Sequence, residues 1–222
     1  IERKRKLEQL EASPVKWMQF FFTEYCRYPF TPFQLKAINR ICSNGEWYEV
    51  LSWSRELAKS TITFMCVMYL VASGRKKNGL LVSNSHDNAT RLLEPYKKTF
   101  ESNSLFKAYY GDLREVGKWT ADEFSTTNGA TFRALGALES PRGTRKDAVR
   151  PDCILLDDFD TDADCRNIDI LNKKWDWVEQ ALIPTRSVSE DLLVVFCGNI
   201  IARDCCCKRA GERADKWDVV NI

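Results

Sequence analysis

The order of elements along the chain predicts an α/β domain: a mostly parallel central sheet covered by helices on both faces, with a β-hairpin and an N-terminal helical segment added. Three observations predict it. Apolar runs of strand length recur at 48–53, 79–84, 152–158 and 192–199, separated by helical patterns. They are continuous rather than alternating, as in strands buried on both faces of a parallel sheet. "AKSTITFMCVMYLVAS" (58–73) is apolar on nearly every side and must therefore be a central helix. Finally, Asn128 and Gly129 stand between two strand-like runs, the strongest short hairpin signal.

Residues 1–28 read as helical and rich in aromatics, and Pro29 and Pro32 then force an extended link. "FQLKAINRICS" is a short helix up to Gly45. "YEVLSW" (48–53) is the first strand, the helix over 58–73 closes at Gly74, and "GLLVSN" (79–84) is the second strand. A more polar surface helix covers 86–106. After the hairpin, "DCILLDD" (152–158) is a strand ending in carboxylates. Ile168, Leu171, Trp175, Val178 and Leu182 then fall at helical spacing, with Asn167 as cap and Pro184 as stop. "LLVVFCGN" (192–199) is the fourth strand, and the strands ending at Trp53, Asp157 and Asn199 are expected to place their C-terminal ends on one edge.

A chain of 222 residues with 44% apolar side chains can bury one sizeable core. Thirty-three basic against 31 acidic residues leave a net charge of +2, so overall charge names no partner. The nine cysteines include no pair of Cys-x-x-Cys units, and three in a row at Cys205, Cys206 and Cys207 point in different directions. That excludes a zinc knuckle and points to a reducing setting. No apolar stretch approaches the ~20 residues that span a bilayer. The first residue is not Met and the last residues are "WDVVNI", so the chain is expected to be a fragment of a longer protein.

"WSRELAKST" (53–61) overlays on the phosphate-loop pattern GxxxxGK[ST] with Trp53 and Ala58 at the glycine positions, Lys59 at the lysine and Ser60 at the magnesium hydroxyl. Such a loop works because backbone N–H groups between a strand and a helix converge on an anion. Taken alone, "AKST" merely starts a helix; its company argues for more. Asp157 and Asp158 close a buried strand, where two adjacent carboxylates without a cation would repel. The first suits a magnesium shell and the second suits a water to be activated. Asp160, Asp162 and Asp164 imitate a calcium loop, but Cys165 stands where glycine is needed and Leu171 where the bidentate Glu belongs.

Together, "PFTPFQ", "SRELAKST", "ILLDDFD" and "FCGN" resemble, in order, the adenine motif, variant phosphate loop, acid pair and coupling motif of one family. That family is the ATPase half of the large terminase subunit of tailed bacteriophages, and the resemblance spans roughly residues 28–200. It implies a RecA-like (ASCE) P-loop NTPase, with a helical segment carrying the adenine motif over 1–45, the ATPase core over 46–222, and the 192–197 strand lying between the strands that end at Trp53 and Asp157. It implies ATP and Mg²⁺ as cofactors, with Gln34 reading the adenine and Phe33 or Phe30 packing on it. Ser54, Arg55, Glu56, Leu57, Ala58, Lys59, Ser60 and Thr61 would form the phosphate loop, and Ser60 with Asp157 would hold the metal. Asp158 would be the base, Gly198 and Asn199 the coupling pair, and Arg55 would either sense the γ phosphate or hold the loop. Arg142, with Arg145 second, would be an arginine finger in the loop 139–151, a segment that serves equally as a DNA contact or a solvated loop.

The implied activity is ATP hydrolysis driving double-stranded DNA into a viral procapsid in the host cytoplasm. Portal protein and small terminase subunit are the implied partners; a homo-oligomeric ring forms when active, the isolated fragment is a monomer, and no membrane is involved. The C-terminal nuclease of such proteins is absent from these residues. One departure stands out: the family usually has Glu at the position of Asp158, so hydrolysis is expected to be slow or to use Asp160. A helicase-like nucleic-acid-dependent ATPase and a non-hydrolysing nucleotide- or DNA-binding module are the competing readings.

Overall fold

The structure, a computed structural model, describes residues 2–141 and 150–221. The chain opens with α1 (Glu2–Glu11), α2 (Pro14–Phe21) and α3 (Pro32–Ser43), then β1 (Trp47–Trp53), α4 (Lys59–Ala72) and β2 (Asn78–Ser83). Next come α5 (His86–Ser102), α6 (Ser104–Tyr110), β3 (Arg114–Trp119), β4 (Glu123–Thr126) and β5 (Thr131–Gly136). The last third holds β6 (Cys153–Asp157), α7 (Asp162–Cys165), α8 (Ile168–Trp177), β7 (Leu193–Cys197), α9 (Cys206–Arg213) and β8 (Lys216–Val220).

The eight strands form one sheet in the order β3-β4-β5-β2-β6-β7-β1-β8. From β5 to β8 every pairing is parallel; β3 and β4 are added antiparallel. β7 lies between β1 and β6, the order expected for the 192–197 strand. Side chains alternate along each strand, so the sheet has two apolar faces. Leu51, Trp53, Leu81, Leu155 and Val195 face α4 and the helices around it, whereas Val50, Leu80, Ile154, Leu156 and Phe196 face α8 and α9. α4 is buried along most of its length, as its all-round apolar sequence requires.

Three boundaries differ from expectation. The first helix breaks at Ser13, whose hydroxyl accepts from Lys16 N while Pro14 opens α2, so one predicted helix is two. The 86–106 helix breaks at Asn103, which ends α5 and caps α6 by accepting from Phe106 N at 2.9 Å. The 168–182 helix passes at Val178 into a single π turn. Trp17, Phe21 and Phe22 of the N-terminal segment share one aromatic cluster with Tyr69, Phe106 and Tyr110. This segment therefore packs into the same core as the sheet.

A buried ion network clamps α3 to the sheet edge. Arg40 bonds Glu49 of β1 at 2.5 Å and Asp218 of β8 at 2.6 Å, and Trp47 Nε1 also donates to Glu49. Burial pushes the fully buried Glu49 carboxyl up, and the Arg40 hydrogen bond pulls it back. Arg40→Ala strands that carboxylate, and urea unfolding should show a loss of about 3–5 kcal/mol. A loss below about 1 kcal/mol would mean that the clamp is no more than a surface pair.

Candidate functional site

The C-terminal ends of β1, β7, β6 and β2 open onto one cavity of about 650 Å³. Its walls are Arg55–Thr61, Asn84 and Asn88, Asp158–Asp162, and Gly198, Asn199 and Ile201. Ligands of open α/β sheets sit at this edge because helix N-termini and strand-end side chains converge there.

The loop after β1 explains how the motif manages without glycine. Trp53 is still inside β1, paired with Val220 and wholly buried, so its extended backbone has no need of glycine. The left-handed turns fall instead on Glu56 (φ 69°) and Ala58 (φ 61°). Ala58 is the second glycine position, and an L-residue there costs about 1–2 kcal/mol. Ala58→Gly should therefore raise thermal stability by about 0.5–1 kcal/mol, the greater freedom of glycine in the unfolded chain offsetting part of the relief. A lower melting temperature would show that the Ala58 methyl packs usefully.

Lys59 is the first residue of α4, and its ammonium curls back to donate to Trp53 O and to Asn199 Oδ1, each at 3.2 Å. The side chain thus spans β1 and the end of β7, with a third ammonium proton left for a ligand. Ser60 follows, its hydroxyl near enough to the Asp157 carboxylate to favour the ionised form. Asp157 is 2% exposed, and among the described residues its Oδ1 has no hydrogen-bond partner. Burial raises this carboxyl to about 6, with Asp158 adding to the shift and the nearby Ser60 hydroxyl and Lys59 opposing it. A buried carboxylate oxygen without a partner beside a hydroxyl fits a hard divalent cation, which takes oxygen ligands.

Asp158 is exposed and left-handed (φ 47°). Its N–H donates to Cys197 O at 3.3 Å, and its carbonyl accepts from Ser83 Oγ at 3.5 Å. Bonds to β7 and β2 hold a conformation that Asp adopts more readily than most residues. Its carboxylate lies on the cavity wall. Asp160 is differently employed: its two oxygens accept from Cys206 N and Cys207 N, at 2.9 and 2.7 Å, where a carboxylate complements the start of α9. Asp164 pairs with the buried Lys174 at 2.8 Å. The acidic run is therefore dispersed, and among the described residues no three His, Cys, Asp or Glu side chains gather around one metal position.

Other predicted residues stand behind the cavity. Gln34 accepts from Thr31 N at 2.9 Å and donates to Leu57 O at 3.2 Å, so its amide ties α3 to the loop instead of facing open space. Phe33 meets Trp53 edge-on at 4.9 Å, and Ser54 bonds Val220 O through its N–H. None of these three lines the cavity. Gly198 is set by packing: a Cβ there would meet Cys207 Sγ at 2.9 Å. Arg142 and Arg145 lie outside the described residues. The pattern reading passed over Asn84 and Asn88, although "GLLVSN" ends in a polar residue as the acid strand does.

No protein-family model matches the sequence, and no curated protein sequence resembles it significantly. Solved structures do. The crystal structure of the HK97 bacteriophage large terminase aligns over 77% of this chain with a TM-score of 0.51 and 14% identity. This is the fold of a bacteriophage large terminase. The large terminase ATPase domain of Thermus phage P74-26 also aligns, over 80% of this chain and 68% of its own, at 17% identity and a TM-score of 0.49. The chain spans 33% of the length of the HK97 large terminase. At 14% identity the likeness to the HK97 large terminase shows a shared fold alone, the mostly parallel sheet covered by helices. Among the described residues no helix is long and apolar enough to cross a membrane.

Proposed function

We propose that this chain is the ATPase motor part of a viral large terminase, binding Mg²⁺–ATP in the 650 Å³ cavity and using its hydrolysis to move double-stranded DNA into a procapsid. The observation that carries this reading is the junction of Lys59 with Trp53 O and Asn199 Oδ1, beside the Ser60 hydroxyl and the buried Asp157 carboxylate. An ammonium, a hydroxyl and a buried carboxylate converge at a helix N-terminus, which is the chemistry that a nucleoside triphosphate requires.

Ser60 and Asp157 would hold the magnesium ion, whose charge offsets that of the phosphates. Lys59 supports the β and γ phosphates, and Arg55, exposed on the cavity wall, either meets the γ phosphate or steadies the loop. The Asp158 carboxylate accepts the proton of the attacking water. Asp160 serves as a cap for α9, which leaves Asp158 as the base despite its short side chain. Asn199 bonds the same ammonium that supports the phosphates, so release of the terminal phosphate would be felt at the end of β7. Gln34 acts on the loop through Leu57 O and would reach adenine only by giving up that bond.

In this reading residues 1–45 brace the loop, residues 46–222 are the ATPase core, and any nuclease belongs to further length of the protein. Portal protein, small subunit and neighbouring copies in a ring are the partners, in the host cytoplasm, and Arg142 is the residue offered to a neighbour. Phosphate release with ATP and Mg²⁺, with and without double-stranded DNA, tests the proposal. Turnover that rises with protein concentration and DNA is expected. Nucleotide binding without any turnover would favour the non-hydrolysing module, and stimulation by single strands alone would favour the helicase-like reading.

A further inference from the structure

Asn84 and Asn88 complete the cavity from β2 and the first turn of α5, opposite the phosphate loop. Strands neighbour one another in the order β1, β7, β6, β2, so Asn84 lies three strand spacings from the loop strand, about 14 Å across the sheet edge. The far end of the cavity, beyond Asp158, is therefore walled by these two amides.

Their orientation is decided by a third residue. Arg91 Nη1 donates to Asn88 Oδ1 at 3.3 Å, and a guanidinium can only donate. Asn88 must then turn its NH₂ group the other way, where it donates to Asn84 Oδ1 at 2.8 Å. With that oxygen taken, Asn84 presents its NH₂ group, which among the described residues donates to no protein atom. The relay from Arg91 through Asn88 to Asn84 thus ends in a fixed, polarised donor on the cavity wall. It faces a cavity that also contains the acceptor-only Asp158.

We propose that Asn84 recognises the terminal phosphoryl group of the bound nucleoside triphosphate, with Asn88 and Arg91 as positioning residues. The inference rests on the nucleotide reading above. A triphosphate gripped by Lys59 and Ser60 runs outward from the loop toward the ends of β6 and β2, and only its last phosphate comes within reach of the β2 end. A diphosphate held by the same loop stops short. Asn84 accordingly separates ATP from ADP, a discrimination that Lys59 and Ser60, serving both nucleotides, do not supply.

Affinities of this chain for a non-hydrolysable ATP analogue and for fluorescent ADP, both with Mg²⁺, provide the test. Asn84→Ala and the isosteric Asn84→Asp should each weaken the ATP analogue by roughly tenfold or more, as loss of a hydrogen bond to a charged group does, while ADP affinity stays within about twofold. Asn84→Asp should be the worse of the two, because it puts a carboxylate where a phosphate must sit. Arg91→Ala should show the same ATP-selective loss at smaller size, since the amides are freed to flip but remain present. Melting temperatures identify any variant that fails to fold; Arg91→Ala, at an exposed position, then carries the test by itself. Equal losses for both nucleotides, or no loss for either, would overturn the proposal. A parent chain that binds neither nucleotide removes the nucleotide reading itself, and the role of Asn84 with it.

Discussion

Lys59→Ala is expected to lower the affinity for Mg²⁺–ATP by on the order of 100-fold and to abolish turnover. In the proposed function the ammonium would meet the most highly charged part of the substrate, where its contacts to Trp53 O and Asn199 Oδ1 already hold it. Among the described residues no other Lys lines the cavity, and Arg55 is exposed on a separate part of the loop. The same substitution leaves two acceptors without their donor, at a cost of roughly 1–3 kcal/mol of stability. Circular dichroism should therefore accompany the nucleotide titration, and Lys59→Arg gives a second view. Arg keeps the charge but not the compact ammonium, so it should fold and still fail in turnover. Parental affinity and rate in folded Lys59→Ala would dispose of the phosphate-loop assignment.

The second large effect concerns the acid pair. Asp158→Asn should leave nucleotide bound and stop hydrolysis, because the amide keeps the shape and loses the proton acceptor. Asp158→Glu should raise turnover by restoring the longer reach. Asp160→Asn, by contrast, should cost stability through the start of α9 and leave the chemical step largely intact. If Asp158→Asn hydrolyses at the parental rate, the base is elsewhere.

Asp157→Asn should weaken Mg²⁺-dependent binding while making the metal-free protein more stable at pH 7. The Asp157 carboxyl titrates at about 6 in the folded chain against 3.8 ordinarily. Between those values the unfolded chain has released its proton while the folded chain still holds it. Stability of the metal-free protein therefore falls as pH rises across that window and is flat above it, a loss of about 3 kcal/mol from this group. Urea unfolding from pH 4 to 7 in chelator should show this fall in the parent and its absence in Asp157→Asn. A parent whose stability instead rises over that range by more than the variant's would show that Asp157 is ionised with a partner.

Much of this was written in local sequence. The four strands and the central helix follow from continuous apolar runs of the right lengths, because a segment buried on all sides has no polar face to display. The placement of Lys59, Ser60, Asp157 and Asp158 at or just past strand ends was legible, because strand ends can be read from composition. β3 and β8 were not legible: "REVGKW" and "KWDVV" are partly exposed edge segments with little apolar pattern, and only pairing with β4 and β1 makes them strands.

What the tertiary structure alone decided is how each polar side chain is employed. Asp158 and Asp160 are two residues apart and chemically identical; the fold brings the start of α9 to one and leaves the other open to the cavity. Gln34 is withdrawn by Leu57 O, which only the packing of α3 on the loop brings near. Asn84 is the exception: its relay to Asn88 and Arg91 is local, three and four residues at a step, and the fold decided only that it faces the cavity. Sequence by itself determined which segments are buried, since burial depends on composition summed along a few residues. The partners of Gln34 and Asp160 come from segments distant in the chain, so their choice had to wait until the sheet set β1, β7, β6 and β2 side by side.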